Sequence, residues 1–200
     1  MSLRSLAPST PIVTPMVIAA CVLIALLGPM APEGLLGRLA LWPWGHGFRP
    51  WQLLSYAFLH GGLFHLVFNM LALHWFGGDL ERVYGPRRLL LLYGAGVLGA
   101  ALAQLAVDRL QGTEQFTIGA SGGVFGLLLA YAVTFPRRKV IPLFPPIPMP
   151  AWLFAVLYAA LELYLGLSGN LPGIAHFAHL GGLLGAGAVL GVWLFGTRRY

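Results

Sequence analysis

Three short segments carry side chains that could do acyl-transfer chemistry. Gly119-Ala120-Ser121-Gly122 sets a serine between glycines. The glycines let the backbone turn tightly and leave the hydroxyl uncovered. If a helix starts there, the N–H groups of its first turn have no intrahelical partner and can face a developing oxyanion. Ala178-His179-Leu180-Gly181-Gly182 supplies an imidazole that can take a serine proton. Gly182 lies one turn below His179 and Ala186 two turns below, a smooth stripe that would let this helix close on Gly122 and Gly126. His65-Leu66-Val67-Phe68-Asn69 puts two hydrogen-bond donors at i and i+4, on one helix face. Each segment has a plainer reading as a helix-packing patch or a polar interhelical contact; it is their combination that points to a nucleophile, a base and an oxyanion hole.

Rival chemistries leave different marks. None of the six histidines (His46, His60, His65, His74, His176, His179) begins a His-Glu-x-x-His zinc motif, so no metal site is expected. Two opposed intramembrane aspartates are also missing, since Asp79 and Asp108 fall at predicted span ends. Glu162 is the one acid well inside a span, where it reads as an ion site or a structural partner. In sequence, no carboxylate stands beside either histidine motif, so Ser121 and His179 would form a dyad without an aspartate. Between the neighbouring histidines, His179 is the better base. It sits about 4.5 Å deeper than His176 at the helical rise of about 1.5 Å per residue. His176, four residues after Pro172, is expected to line the mouth, where water satisfies it.

The elements that must hold these residues are membrane helices. The chain has 200 residues, 58% hydrophobic and 9% charged, with mean hydropathy +0.79. Soluble domains carry about 25% charged residues, and this chain lacks the polar surface to cover a soluble fold. A soluble enzyme and a nucleic-acid-binding domain are therefore excluded, despite the net charge of +6. The single Cys21 rules out an internal disulfide framework. Charge-free runs place six spans near 13–30, 58–78, 88–107, 121–136, 150–167 and 174–195, each close to the roughly 20 residues a spanning helix needs. Little is left over, so residues 1–200 read as a single membrane domain. Ile18-Ala19-Ala20-Cys21 looks like a lipoprotein cleavage box, but the apolar run continues about nine residues beyond it, which favours a retained span.

With both tails on the cytoplasmic side, nine basic residues (Arg4, Arg82, Arg87, Arg88, Arg137, Arg138, Lys139, Arg198, Arg199) lie inside. Three (Arg38, Arg49, Arg109) lie outside, accounting for all 12. The Ala31–Trp51 connection, with Trp42, Trp44, Phe48 and Trp51, reads as an interfacial element on the outer face. Pro142, Pro145, Pro146, Pro148 and Pro150 mark a non-helical connector before the fifth span.

On His65 to Asn69, Gly119 to Gly122, Ala178 to Gly182 and the turn Gly77-Gly78-Asp79-Leu80-Glu81-Arg82, the chain resembles the rhomboid family of intramembrane serine proteases over about residues 40–195. The resemblance implies an all-α polytopic bundle of six transmembrane helices around a water-filled cavity that opens outward. It implies Ser121 as nucleophile and His179 as base, and an oxyanion hole from His65, Asn69 and the Ser121 N–H. Gly119, Gly122, Phe125 and Gly182 would support them. Substrates would be transmembrane segments of other proteins, cut near their outer end within the lipid bilayer, with no cofactor, no metal and no nucleic acid. The expected location is the plasma (inner) membrane, with both termini cytoplasmic and the active site facing outward. The alternatives are a non-catalytic rhomboid-like binder of membrane helices and a small transporter. Two positions depart from the family pattern. Trp51-Gln52 stands where Trp-Arg is frequent, which bears on the loop's polar anchoring. Phe125 stands where a tyrosine often packs on the catalytic imidazole.

Overall fold

Apolar helices fall near each expected span, but the second is broken before Leu63 and the fourth has only 14 residues. The structure, a computed structural model, describes residues 10–30, 34–143, 145–170 and 173–196. Arg4, Pro172, Arg198 and Arg199, used in the sequence reading, lie outside those residues. Helix α1 (Val13–Leu27) ends in a 3-10 turn, and the connection after it contains the short helices α2 (Leu35–Leu39) and α3 (Gln52–Ser55). Helix α4 (Leu63–Ala72) runs through a π-helical segment, Leu73–Gly77, into α5 (Gly78–Tyr84). Helices α6 (Pro86–Gln111), α7 (Ser121–Thr134), α8 (Ala151–Ser168) and α9 (His176–Gly196) follow. The molecule is an all-α polytopic membrane bundle. Among the described residues, four helices are long and apolar enough to cross a membrane: Val13–Met30, Pro86–Gln111, Ala151–Ser168 and His176–Gly196. A fifth span results if Gln52–Phe58 and Leu63–Tyr84, bent by 100°, are taken together, and Ser121–Thr134 is a shorter apolar helix. The outward faces are bare hydrocarbon, with Leu23, Leu102, Leu157, Leu184 and Val192 all exposed. Such faces are stable only against lipid.

Helix α6 is the axis of the bundle, and small residues let its neighbours touch its backbone. Gly99 of α6 sits against the Gly181 carbonyl and Gly185 of α9, and Gly96 meets the backbone of Gly122 and Gly123 in α7. A Cβ on Gly182 would run into the Gly122 carbonyl, so α7 and α9 also meet backbone to backbone. Association in lipid lacks a hydrophobic driving force, and close van der Waals contact of this kind replaces it.

The ends of the helices are fastened by polar groups. The fully buried Glu81 carboxylate accepts the N–H groups of Ile12, Val13 and Thr14 at 2.7–2.8 Å, and the Thr14 hydroxyl at 2.8 Å. It thereby caps the first turn of α1, whose own residues supply no capping side chain. At the same end, Arg138 pairs with Asp79 at 2.5 Å, Tyr84 bonds Thr134 at 2.8 Å and Arg88 lies over Trp193. The proline-rich connector is non-helical, as expected, and is closed by a two-residue antiparallel ribbon, β1 (Lys139–Val140) with β2 (Met149–Pro150).

In the connection from α1 to α4, Gln52 answers the question raised by the missing arginine. Its carbonyl oxygen accepts from the N–H groups of Trp42 and Arg49 at 3.2 and 3.1 Å. Its amide donates to the carbonyls of Arg38 and Gly47 at 3.2 and 3.4 Å. Gln52 is 1% exposed, and a neutral amide anchors this loop without the cost of burying a guanidinium. Trp44 and Trp51 stand exposed as an interfacial element requires, whereas Trp42 is half-buried and packs on the ring of Phe116.

Candidate active site

Ser121 is the first residue of α7 and faces a cavity of about 820 Å³. The chain reaches it through Gly119, whose φ of +128° falls where L side chains rarely go. A Cβ on Gly119 would also stand 2.7 Å from His65 Nε2. The glycine is thus required twice, by the turn and by the approach of the histidine. The first hydrogen bond of α7 runs from Val124 N to the Ala120 carbonyl. The N–H groups ahead of Val124 have no partner within the helix.

His179 Nε2 lies 2.8 Å from Ser121 Oγ. That distance depends on the backbone contact at Gly182, one turn below the histidine. Phe125, one turn after Ser121, lies flat on the imidazole, with centroids 4.4 Å apart and planes inclined by 5°. The ring keeps the packing role of the expected tyrosine without its hydroxyl.

His65 and Asn69 line the same cavity from α4. The Asn69 amide donates to the His65 carbonyl at 2.8 Å, which occupies one of its two N–H bonds and leaves the other free. His65 Nδ1 lies 3.4 Å from Gly61 N, and its Nε2 faces Gly119. Every residue proposed for chemistry from the sequence therefore borders one space, with Gly122 and Gly182 forming the seam behind it.

Two expectations are corrected here. A carboxylate does stand at the site: Glu162 Oε2 of α8 is 2.6 Å from His176 Nδ1 and 3.0 Å from His179 Nδ1. It lies off the line of the His179 ring N–H, so the contact is the close approach of a carboxylate and not a well-aligned hydrogen bond. His176, in turn, is no mouth-lining residue satisfied by water. It is 6% exposed and held by Glu162, because the first turn of α9 faces α8. The signal available in the sequence was that an acid inside a span needs a partner; which partner depends on how α8 is rotated. The donor atoms of Glu162, His176 and His179 lie within 4.8 Å of one another and could in principle gather round a cation. Ligands of one tetrahedral zinc stand roughly 3.3 Å apart, however, and a 2.6 Å N–O separation is that of a shared proton.

The rhomboid domain family model matches residues 47–197, three quarters of the chain and all of this site. The chain belongs to the rhomboid family. Among its rhomboid relatives, RHOMBOID-like protein 5 of Arabidopsis thaliana is 36% identical over 176 residues, covering 88% of this chain and 54% of the relative. RHOMBOID-like protein 4 of the same plant is 36% identical over 160 residues, 77% of this chain and 36% of that one. A Bacillus subtilis (strain 168) protein named rhomboid protease GluP is 31% identical over 147 residues, 71% of this chain and 26% of the relative. The chain thus spans between about a quarter and half the length of these curated rhomboids.

Proposed function

We propose that this rhomboid is an intramembrane serine endopeptidase that cuts other membrane proteins in or near the outer end of a transmembrane helix. The observation that carries this reading is the 2.8 Å contact between Ser121 Oγ and His179 Nε2 at the wall of an open, largely apolar cavity. A serine hydroxyl becomes nucleophilic when a neutral imidazole stands ready to take its proton.

In this mechanism Ser121 Oγ attacks the scissile carbonyl carbon and its proton passes to His179 Nε2. The carbonyl oxygen gains the negative charge and is received by the Ser121 N–H, His65 Nε2–H and the free N–H of Asn69. Donors already aimed at that point need no reorganisation during the reaction. The intermediate collapses as the C–N bond breaks, and His179 gives its proton to the departing amine. Water then repeats the sequence, with His179 as base, to release the acyl group from Ser121. Within a bilayer, the cavity serves to bring that water to the bond.

A bundle this apolar confines its substrates to chains already in the membrane. Helical peptide bonds are hydrogen-bonded and must open to meet Ser121, so cleavage falls where small or helix-breaking residues loosen the substrate. The basic residues support an orientation with both termini cytoplasmic and the cavity facing outward, in the plasma (inner) membrane. Arg82, Arg88, Arg138 and Lys139 gather at the end of the molecule opposite Ser121, through the contacts of α5, α6, α7 and the ribbon. The test is labelling of the purified protein by a fluorophosphonate, together with cleavage of a helical test substrate in liposomes. Both activities are expected in the wild type and neither in Ser121→Ala or His179→Ala. Cleavage by well-folded Ser121→Ala would overturn the reading.

A further inference from the structure

The buried carboxylate on α8 has no part in a serine–histidine dyad, yet it touches the base. Glu162 is 8% exposed, inside an apolar span. An acid in that position is costly unless partners surround it. Among the described residues, its partners are on α9: His176 Nδ1 at 2.6 Å and His179 Nδ1 at 3.0 Å, each to the same oxygen, Oε2. We infer that Glu162 is a positioning residue for His179, completing a serine–histidine–glutamate triad; His176 ties the same carboxylate to α9 and stands outside the triad.

The tautomers support this arrangement. For His179 Nε2 to accept the Ser121 proton, it must be bare, and the ring's own proton must sit on Nδ1. Among the described residues, no hydrogen-bond acceptor is aligned with that nitrogen, and the Glu162 carboxylate is the polar group beside it. An anion there favours the Nδ1–H tautomer and stabilises the imidazolium formed when Ser121 attacks. Phe125 closes the opposite constraint: stacked flat on the ring, it leaves rotation in the ring plane as the motion by which Nδ1 can swing toward Oε2. His176 holds the carboxylate from the far side; to donate to it, the ring must carry its proton on Nδ1, and its buried Nε2 has no partner among the described residues. It therefore limits how fully Glu162 can engage the base.

The inference rests on the protease reading, and the experiment separates the two. Wild type, Glu162→Gln, Glu162→Asp and His176→Asn are compared for kcat and KM on a helical substrate, fluorophosphonate labelling rate and Tm. Glu162→Gln keeps the shape and loses the charge. Its kcat and labelling rate are expected to fall together by about 10- to 100-fold with KM nearly unchanged, less than the roughly 10⁴-fold seen when a well-aligned triad loses its acid. Glu162→Asp keeps the charge and should recover most of that loss. His176→Asn removes the competing ring, leaves the charge, and should keep kcat within about threefold of wild type while lowering Tm. Wild-type kcat in Glu162→Gln would overturn the inference. So would an equal fall in all three variants, which would make Glu162 only a tie between α8 and α9. Should Glu162→Gln fail to fold, His176→Asn decides: a loss of tenfold or more refutes the triad, and retained kcat with a lower Tm supports it. Failure of the protease reading looks different, as a wild type that neither labels nor cleaves, and it would take this inference with it.

Discussion

Replacing Phe125 separates packing from chemistry at the level of one side chain. Its ring contributes a flat surface 4.4 Å from the imidazole and no polar atom. Phe125→Tyr should retain activity, because the cavity beside the ring has room for a hydroxyl. Phe125→Ala frees His179 to tilt, and a misplacement of about 1 Å can cost on the order of 100-fold in rate. Steady-state cleavage and thermal unfolding of the two variants would check this, and full activity with unchanged Tm in Phe125→Ala would refute it. Asn69 allows a second test of the same kind. One N–H of its amide is spent on the His65 carbonyl, so only the other can serve an oxyanion. Asn69→Ala should reduce kcat by up to about 100–1000-fold, the usual worth of one donor, while the fluorophosphonate still reaches Ser121. Unchanged kinetics would leave Asn69 with a purely structural role.

Between elements, the decisive contacts are backbone contacts. Gly182 lies on the Gly122 carbonyl, and Gly126 lies 3.0 Å, at an added Cβ, from Ala186. Gly182→Ala must push α9 away from α7, because a carbonyl cannot move aside as a flexible side chain can. Overpacking of this kind costs about 1–3 kcal/mol. The same displacement opens the Ser121–His179 contact, so Tm and labelling rate are expected to fall together; a variant that lost neither would show that the seam does not set the site. Glu81 makes the corresponding case at the other end of the bundle. Glu81→Gln keeps one acceptor oxygen but turns an N–H toward the first-turn N–H groups of α1. Hydrogen bonds to a charged group are worth about 1.5–3 kcal/mol. The variant should lose stability on that scale, read by thermal unfolding, with kcat little changed because the cap lies at the end away from Ser121.

For the molecule as a whole, orientation is the testable quantity. Cys21 is buried, so a single cysteine introduced elsewhere reports accessibility cleanly, even more so in a Cys21→Ser background. In intact cells, Thr113→Cys, beside the end of α6 nearest the site, should react with a membrane-impermeant maleimide. Arg137→Cys, in the basic end, should react only after lysis. The opposite pattern would invert the topology and turn the cavity to the cytoplasm.

The two kinds of information divide along physical lines. The amino-acid sequence by itself determined that the chain lives in lipid, because 9% charged residues cannot cover a soluble surface. It also determined where the long helices run, since charge-free runs of spanning length have little alternative in a bilayer. Ser121, His179, His65 and Asn69 were legible as candidates because small residues and exact helical spacing are local properties. What only the tertiary structure decided is rotational and long-range. Periodicity could not say which way α8 turns Glu162, since that helix is apolar nearly all round and carries no stripe to orient it. The pairing of Glu162 with two histidines on α9, the burial of His176 and the central position of α6 all follow from that packing. Gln52 as the loop's anchor was hidden for a related reason. Its four hydrogen bonds go to backbone groups, which every sequence possesses and no residue pattern reveals.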